Sequence, residues 1–228
     1  MFSLVLPTYN EAQNIGPCVA AVSRVLEGRE FEIIVSDDDS PDRTWEVAEN
    51  LRHPNVRVLR RTGVRGLSPA VVEGFEIARG ELLGVMDADL QHDEAILPRM
   101  IDALAEHEFV FSTRYAGGGS TGKWSAARLF TSRTATWVTR AVLGVRLSDP
   151  MSGYFALRRE VFERARPKLS PKGFKIALEL YCLGRPLSST EVPFTFRPRR
   201  AGQSKLSTRV VAESFKSLLE LRRKMKAT

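Results

Sequence analysis

The residues most suited to chemistry are two aspartates, Asp87 and Asp89, which stand one residue apart directly after the apolar run 82–86. Two carboxylates this close repel each other unless a positive group lies beside them, and a divalent cation with oxygen ligands meets that need. Gln91 could supply a further oxygen, which leaves coordination positions for a diphosphate and water. Taken alone, the triplet is also compatible with a solvated acidic turn that caps the following helix.

Alternating strands and helices are the elements that must position these side chains. Short apolar runs predict strands at residues 4–6, 31–35, 56–59 and 82–86. Helical spacing predicts helices at residues 12–26, 44–51 and 70–78. Gly80 is expected to close the last of these helices as a C′ glycine. This alternation predicts an α/β fold whose central sheet is mostly parallel, doubly wound and flanked by helices.

Polar clusters follow three of these predicted strands, at residues 8–11, 37–40 and 87–89. In a doubly wound sheet, ligands bind beyond the carboxyl ends of the strands. We therefore expect three acidic groups to gather on one rim of the sheet, which randomly placed surface carboxylates would not do.

The second half of the chain is less regular. We predict a glycine loop at residues 117–119, a long helix at 124–143 and a turn at 149–153. A second helix is predicted at 174–183, a strand at 191–196 and a basic loop at 197–205. Arg128 and Ser132 stand four residues apart and share one face of the long predicted helix. An amphipathic helix with a basic end is predicted at 210–225, so we divide the chain into a domain over 1–208 and a helix over 209–228. That helix either lies at a membrane interface or packs on its own domain.

The composition narrows the choice of partners. The 228 residues include 34 Lys and Arg and 27 Asp and Glu, a net charge of +7, which favours an anionic partner. We expect no nucleic acid, because the chain lacks an aromatic and basic stacking motif. Cys18 and Cys182 have no metal-ligand spacing and are expected to be reduced. Without an apolar run of about 18 residues or a signal-peptide core, the sequence predicts a cytoplasmic protein with no spanning helix.

Six short motifs are spread over nearly the whole chain. They are PTYNE at residues 7–11, DDDSPD at 37–42, DADLQH at 87–92, STRY at 112–115, DPMSG at 149–153 and RxxGxSK at 199–205. Together they resemble the dolichyl-phosphate mannose synthase branch of the family 2 glycosyltransferases, which implies the Rossmann-like GT-A fold. The chain departs from that family at Asp39, where Asn or Gly is frequent, at Arg43, where Gly is frequent, and at residues 66–70, where GLSPA stands for GLGTA.

The resemblance also implies a binding site for a nucleotide-sugar donor. Its residues would be Pro7, Tyr9, Glu11, Asp38, Asp87, Ala88, Asp89, Gln91, Lys175, Arg199 and Lys205. Of these, Asp89 and Gln91 would hold Mg²⁺ or Mn²⁺ on the donor diphosphate, and Arg199 and Lys205 would neutralise the remaining phosphate charge. The implied catalytic group is therefore Asp87, Asp89, Arg199 and Lys205.

An acceptor phosphate would be bound by Arg114, Arg128 and Ser132, by resemblance and, for the last two, by their shared helical face. A phosphate monoester has a second pKa of about 6, so it is ionised near neutral pH and needs positioning cations rather than a general base. Structural alternatives stay open: a solvated charge at Arg128, a hydroxyl bonded to its own helix at Ser132, and a solvated Lys175. His92 is expected to have a turn or cap role.

The resemblance implies an inverting, metal-dependent enzyme that moves mannose from GDP-mannose to a polyprenyl phosphate. A UDP-glucose donor is the nearest alternative, because charge and spacing do not distinguish an axial from an equatorial hydroxyl. A non-catalytic nucleotide-binding or lipid-phosphate-binding protein is the alternative of another class. Since polyprenyl phosphates reside in bilayers, we expect peripheral association with the cytoplasmic face of a membrane, with or without a separate membrane-anchoring protein.

Overall fold

A computed structural model describes residues 1–170, 175–200 and 208–227, with side chains in the last range described from 217 to 226. Within these residues the strands are β1 (Phe2–Thr8), β2 (Phe31–Asp37), β3 (Val56–Arg60), β4 (Leu82–Val85), β5 (Phe109–Thr113), β6 (Phe155–Arg158) and β7 (Ser189–Pro193). They form one sheet in the order β3-β2-β1-β4-β6-β5-β7. Only β6 runs antiparallel to its neighbours β4 and β5. The prediction of a mostly parallel α/β sheet is confirmed.

The flanking helices lie close to the predicted ones in most cases. They are α1 (Ala12–Val25), α2 (Thr44–Asn50), α3 (Leu67–Ile77), α4 (Leu97–Ala103), α5 (Ala126–Leu143), α6 (Arg159–Ala165), α7 (Ile176–Gly184) and α8 (Thr208–Ala227). The sequence patterns did not predict α4, α6, β5 or β6. Within the described parts of the chain, no helix is both long and apolar enough to cross a membrane.

The strand residues alternate between two hydrophobic cores, one on each face of the sheet. Leu4 and Leu6 of β1 face the first core, which α1, α2 and α4 cover, whereas Val5 faces the second core, which α3, α6 and α7 cover. Val35 and Ile34 of β2 divide between the cores in the same way. Because both faces of these strands are buried, the strands are apolar at successive positions.

The expected role of Gly80 as a C′ glycine is wrong. Helix α3 ends at Ile77, and its cap residue Ala78 is extended, with a ψ of 143°. Gly80 lies against β1, where an added Cβ would come within 2.7 Å of the Met1 carbonyl oxygen and 2.8 Å of Ser3 Oγ. The close approach of two backbone segments therefore explains this glycine, since no side chain fits between them.

Several loops at the carboxyl ends of the strands contain residues in the left-handed conformation. Asn10 follows β1 with a φ of 58°, Asp39 follows β2 with 51° and Leu90 follows β4 with 62°. Arg43, before α2, has a φ of 60°. This conformation favours Gly and Asn, the types that the resembled family often has at positions 39 and 43. Leucine adopts it rarely, so the turn at Leu90 is imposed by its surroundings.

Helix α8 packs on its own domain through the side chains that are described. Leu218 and Leu221 are buried in the second core, and Met225 packs against it. The exposed face of the same segment is basic and carries Arg222, Arg223 and Lys226. The packing alternative therefore holds for residues 217–226, while the side chains of residues 208–216 lie outside the described part. A membrane role for the exposed face stays a prediction, as does the division of the chain at residue 208.

Candidate active site

The carboxyl end of β2 carries two adjacent buried carboxylates with different partners. Asp37 accepts hydrogen bonds from the backbone and hydroxyl of Ser40, at 2.9 and 2.7 Å, and so shapes its own loop. Asp38 accepts from the guanidinium of Arg61 and from the backbone N–H of Gly66, the latter at 2.7 Å. Because these partners belong to the protein, the Asp38 carboxylate is held in place before any ligand arrives.

Arg61 is the buried cation of this pair, and the sequence patterns gave no indication of it. Its side chain is only 2% exposed, and it lies one residue beyond β3. Besides Asp38, it binds both carboxylate oxygens of Glu73 on α3, at 3.0 and 2.7 Å, and the Val64 carbonyl at 2.7 Å. A buried arginine is tolerated only when its charge and donors are matched in this way. The sequence signal was a single arginine after a strand, outside any motif.

Asp87 and Asp89, which we call the acidic cluster, lie beyond β4 and differ in burial. Asp89 is buried, whereas the side chain of Asp87 is 46% exposed. Asp89 Oδ1 accepts from the Gln91 backbone N–H at 3.0 Å, across the left-handed Leu90, and Oδ2 lies 2.7 Å from Arg199 Nη2. Burial and the charge of Asp87 raise the pKa of Asp89. The loop therefore concentrates negative charge in a partly desolvated position.

A divalent cation fits this loop as a site in which the protein supplies only some of the ligands. Burial, and then the neighbouring charge of Asp87, disfavour the ionised form of Asp89 and raise its pKa, and a bound cation would favour that ionised form. Gln91 Nε2 donates to the Arg197 carbonyl at 3.2 Å, so the amide oxygen is the atom available as a ligand. In the described ranges, no three His, Cys, Asp or Glu side chains converge to hold a metal ion. Asp89 and Gln91 therefore suit a cation whose other ligands come from a bound phosphate group and water.

Arg199 joins two of the strand-end clusters. Its Nη2 contacts Asp89, and its Nη1 lies 3.5 Å from Glu11 Oε1 at the start of α1. The segment that carries Arg199 is fixed beside the β4 loop, because the Arg197 backbone N–H donates to the Gln91 carbonyl at 2.9 Å. Glu11, Asp89 and Arg199 were proposed as site residues from separate motifs, and the structure brings them together at the carboxyl edge of the sheet.

His92 is a structural residue of the same loop. It is buried and stacks on Tyr154 with ring centroids 5.1 Å apart. Its Nδ1 accepts the backbone N–H of Asp87 at 3.2 Å. Burial lowers the pKa of His92 to about 4, so the ring is neutral near neutral pH. This geometry agrees with the expected turn role, in which the ring holds the Asp87 backbone.

A second polar group begins just beyond β5, and it is positively charged. Arg114 binds both oxygens of the buried Asp149 carboxylate, through Nε at 2.6 Å and Nη2 at 2.8 Å. Asp149 is itself fixed, since its backbone N–H and that of Ser148 donate to Glu191 of β7 at 3.3 and 2.9 Å. The Arg114 guanidinium is thereby locked at the end of its strand.

Arg128 and Ser132 lie on the first turns of α5, on the face that the sequence predicted. Arg128 is exposed, and its guanidinium carbon lies 4.0 Å from the centroid of the Trp124 ring. Ser132 Oγ accepts a hydrogen bond from the Tyr115 hydroxyl at 2.7 Å. We call Arg114, Arg128 and Ser132 the basic cluster. Its positive charge and hydroxyl suit an anionic ligand.

One aromatic side chain contacts both the loop that follows β4 and the basic cluster. The Phe196 ring lies 6.0 Å from that of His92, and its centroid lies 5.8 Å from the guanidinium carbon of Arg128. Its neighbour Arg197 is the residue whose backbone pairs with Gln91. The acidic loop after β4 and the basic cluster therefore lie near each other at the carboxyl ends of the strands.

A comparison with protein families identifies this arrangement. The family model described as Glycosyl transferase family 2 matches residues 3–166, which contain both clusters. The chain belongs to glycosyltransferase family 2. The family predicted from the motifs is thus confirmed, and this chain is a glycosyltransferase.

Curated relatives of this glycosyltransferase match almost its whole length. It is 42% identical over 224 residues to a dolichol-phosphate mannosyltransferase of Pyrococcus furiosus, which covers 96% of this chain and 63% of the relative. It is 39% identical to a dolichol-phosphate mannosyltransferase of Saccharomyces cerevisiae, over 96% of this chain and 86% of the relative. A polyprenol monophosphomannose synthase of Mycolicibacterium smegmatis is 36% identical, over 95% and 85%. The chain therefore spans less than two thirds of the Pyrococcus furiosus relative.

Solved structures confirm the fold of the glycosyltransferase. A glucosyl-3-phosphoglycerate synthase from Mycobacterium tuberculosis, crystallised with Mn²⁺, UDP and phosphoglyceric acid, superposes with a TM-score of 0.71 at 23% identity. The match covers 97% of this chain and 78% of the other. This likeness confirms the predicted GT-A architecture.

Three further predicted donor residues, Pro7, Tyr9 and Ala88, have positions that give little information about their roles. Pro7 and Tyr9 are partly exposed at the end of β1, and the Arg65 guanidinium carbon lies 5.4 Å from the centroid of the Tyr9 ring. Ala88 is buried in the first core, so only its backbone can face a ligand. These roles stay predictions.

Lys175 and Lys205 complete the set of predicted donor residues. Lys175 is half-buried just before α7, and burial lowers its pKa to about 8, so it is not the fully solvated lysine of the alternative interpretation. No hydrogen bond or ion pair joins it to Asp89 or Arg199 within the described ranges. Lys205 lies outside the described residues.

Proposed function

We propose that this glycosyltransferase transfers mannose from GDP-mannose to a polyprenyl phosphate, with inversion at the sugar and with Mg²⁺ or Mn²⁺. The observation that carries the proposal is the pairing of the acidic cluster with the basic cluster along one sheet edge. Transfer of a sugar from a nucleoside diphosphate to a phosphate acceptor needs the two clusters side by side. The acidic cluster, with its cation, would stabilise the diphosphate leaving group, and the basic cluster would position an anionic nucleophile.

The donor would bind at the acidic cluster. Asp89 and Gln91 would hold the divalent cation, which when bound supplies charge stabilisation to the departing diphosphate. Arg199 would exchange its contact with Asp89 for one with the diphosphate and add a second positive charge there. Asp38, preset by Arg61, would accept hydrogen bonds from the base or ribose.

The acceptor would bind at the basic cluster. A phosphate monoester is ionised near neutral pH, so Arg114, Arg128 and Ser132 would need only to bind and orient it. His92 is a poor candidate for a general base, because its Nδ1 accepts from the Asp87 backbone and its lowered pKa of about 4 makes the ring a weak base. The acceptor oxygen would attack the anomeric carbon from the side opposite the diphosphate, which inverts the configuration.

The names of the relatives support the substrates. Two of them are called dolichol-phosphate mannosyltransferase and a third polyprenol monophosphomannose synthase. The Mycobacterium tuberculosis neighbour was crystallised with Mn²⁺ and UDP, which supports a nucleotide-sugar donor and a divalent cation. Its name contains a different sugar, so UDP-glucose stays the donor to test against GDP-mannose.

We propose that the enzyme binds its acceptor at a membrane surface. Phe130 and Trp137 on α5 are 73% and 69% exposed, and Arg133 and Arg140 lie on the same outward side. Aromatic and basic side chains together are typical of helices that rest on anionic membranes. The helix that carries Arg128 and Ser132 would thus also approach the bilayer in which a polyprenyl phosphate resides.

The proposal is tested by a transfer assay with a short-chain polyprenyl monophosphate and radiolabelled GDP-mannose or UDP-glucose. We expect label to enter the lipid from GDP-mannose, to be lost with EDTA and to return with added Mg²⁺ or Mn²⁺. The corresponding free polyprenol is the matched control and should accept no label. Transfer from UDP-glucose alone would overturn the donor, transfer that resists EDTA would overturn the cation, and binding without transfer would favour a non-catalytic protein. If vesicles carrying the acceptor restore transfer only together with a membrane extract, a separate anchoring protein is required.

A further inference from the structure

Trp124 stands two residues before α5 and contacts both arginines of the basic cluster. The guanidinium carbon of Arg128 lies 4.0 Å from the centroid of the Trp124 ring, and that of Arg114 lies 5.1 Å from it. Phe196 completes the contact, since its centroid is 5.4 Å from that of Trp124 and 5.7 Å from the Arg114 guanidinium carbon. Two like charges are therefore gathered on one pair of aromatic rings.

The two arginines are balanced to different degrees. Arg114 has a buried carboxylate partner in Asp149, at 2.6 Å. Arg128 has no carboxylate within 4.0 Å in the parts of the chain that the structure describes, and desolvation and the charge of Arg114 lower its pKa. The Trp124 ring is the contact that holds Arg128 beside a like charge, because the negative face of an aromatic ring attracts a cation.

Tyr115 orients the third member of the cluster. Its hydroxyl donates to Ser132 Oγ at 2.7 Å, so the Ser132 proton is left to be donated elsewhere. Ser132 lies one turn beyond Arg128 on the same helix, which places both groups on one side of α5. The guanidinium and the hydroxyl can thus act on one ligand.

We propose that Trp124 and Tyr115 are positioning residues that aim Arg128 and Ser132 at a single dianionic phosphate monoester. This inference rests on the proposed function, in which that monoester is the acceptor. Two cations and one buried carboxylate leave a net positive charge, which attracts a phosphate monoester dianion more strongly than a monoanionic diester or a neutral alcohol. The three terminal oxygens of a monoester can also accept from Arg128 and Ser132 together. Neither Trp124 nor Tyr115 belongs to the two hydrophobic cores, so both can be replaced without removing core packing.

The test measures binding of a water-soluble short-chain isoprenyl monophosphate by calorimetry, without any donor, and then steady-state kinetics with both substrates. We expect Trp124→Leu to weaken the binding about tenfold and to raise the acceptor KM to the same extent. Trp124→Phe, which keeps a ring, should lose about threefold. Tyr115→Phe should lose about fivefold through the missing hydrogen bond. The donor KM should change less than about twofold in all three.

Trp45 offers a matched control, since the guanidinium carbon of Arg60 lies 4.0 Å from the centroid of its ring, the same distance as in the Trp124 pair. Trp45→Leu should leave isoprenyl monophosphate binding unchanged. Thermal unfolding of each variant checks that the fold is intact, and Trp124→Phe keeps the test open if Trp124→Leu does not fold.

The outcomes separate this inference from the proposed function. Tight binding by wild-type protein that Trp124→Leu leaves unaltered overturns the inference alone, as does an equal rise of donor and acceptor KM. Failure of the wild-type protein to bind the isoprenyl monophosphate overturns both. Selective weakening by the Trp124 and Tyr115 variants supports the inference even where transfer from GDP-mannose is absent, because the calorimetric experiment contains no donor.

Discussion

The two halves of the candidate site are built in opposite ways. On the donor side, Asp38 and Arg61 form a buried pair, with side chains 9% and 2% exposed, at the ends of neighbouring parallel strands. On the acceptor side, Arg128 is exposed on a helix and rests on an aromatic ring. The proposed donor side is therefore fixed by a buried ion pair within the protein, whereas the proposed acceptor side keeps a surplus positive charge that an anionic ligand would balance.

The same contrast appears in the charge of the two clusters. Burial, and then the charge of Asp87, raise the pKa of Asp89, whereas burial, and then the charge of Arg114, lower the pKa of Arg128. In each cluster a neighbouring like charge therefore adds to the cost of burial, negative in the one and positive in the other. A cation at the acidic cluster and a phosphate at the basic cluster would each meet an opposite charge, and Phe196 contacts both His92 of the β4 loop and Arg128.

The largest expected effect comes from Asp89→Asn, which keeps the shape of the side chain and removes its charge. We expect transfer to fall by about a thousandfold or more, because the cation and its leaving-group stabilisation are lost together. The measurement is kcat with saturating substrates over a range of Mn²⁺ concentrations, with circular dichroism as the check on folding. Undiminished transfer would contradict the assignment of Asp89 as a metal ligand.

The next effect is on stability and tests whether the donor side is preassembled. Arg61→Met should cost about 3 kcal/mol of unfolding free energy, because Asp38 is left as a buried charge without its cation. Urea denaturation measures this, with Arg57→Met as the comparison, since Arg57 binds the buried Glu32 but is itself about one-third exposed. Equal losses in the two variants would show that Arg61 has no special burial cost.

Arg128→Ala sharpens the comparison from the acceptor side. We expect the acceptor KM to rise about twentyfold, since a charge-assisted contact to phosphate is lost, while the donor KM changes little. The unfolding free energy should stay within about 0.5 kcal/mol, because the exposed Arg128 has no buried partner to abandon. A rise confined to the donor KM would place this residue on the wrong side of the site.

Lys175 provides a smaller, pH-dependent effect. Its lowered pKa of about 8 means that the side chain is charged below that pH and neutral above it. If it contacts the donor diphosphate, the donor KM should rise about fivefold as the pH is raised from about 7 to about 9. Lys175→Arg keeps its charge over that range, so it should abolish the dependence. A pH profile that is the same in both proteins would remove Lys175 from the donor site.

Raising the pH should increase the stability of the folded protein, although it weakens donor binding. Between about pH 8 and the ordinary lysine pKa of 10.5, the unfolded chain binds the proton that the folded chain has released. Unfolding free energy should therefore increase with pH in that window for wild-type protein, and less so for Lys175→Met. Denaturation curves at several pH values compare the two.

The smallest effect concerns the outward face of α5. Trp137→Ser should weaken cosedimentation with anionic vesicles about threefold, because one exposed aromatic anchor is lost. Transfer to a water-soluble short-chain acceptor should be unchanged, which separates membrane contact from phosphate binding. Equal cosedimentation of the variant and the wild-type protein would remove Trp137 from the membrane-contact surface.

Much of the donor side could be predicted from the sequence, because its signals are local. Motifs that each follow a strand were expected on one rim, and Glu11, Asp89 and Arg199 do meet there. The family and the α/β sheet followed from the same motifs and from the continuous apolar runs. Gly80 shows the limit of such local rules, since a glycine after a helix was taken for a cap although contact with β1 explains it.

The sequence by itself determined the alternation of strands and helices, the placing of carboxylates at strand ends and the shared face of Arg128 and Ser132, because each depends on residues near each other in the chain. The tertiary structure alone decided the antiparallel insertion of β6 between β4 and β5, the partnership of Arg61 with Asp38, and the gathering of Arg114 and Arg128 on Trp124. These features join residues whose pairing depends on how sheets and helices pack, and hydrophobic periodicity contains no information about which distant partners meet.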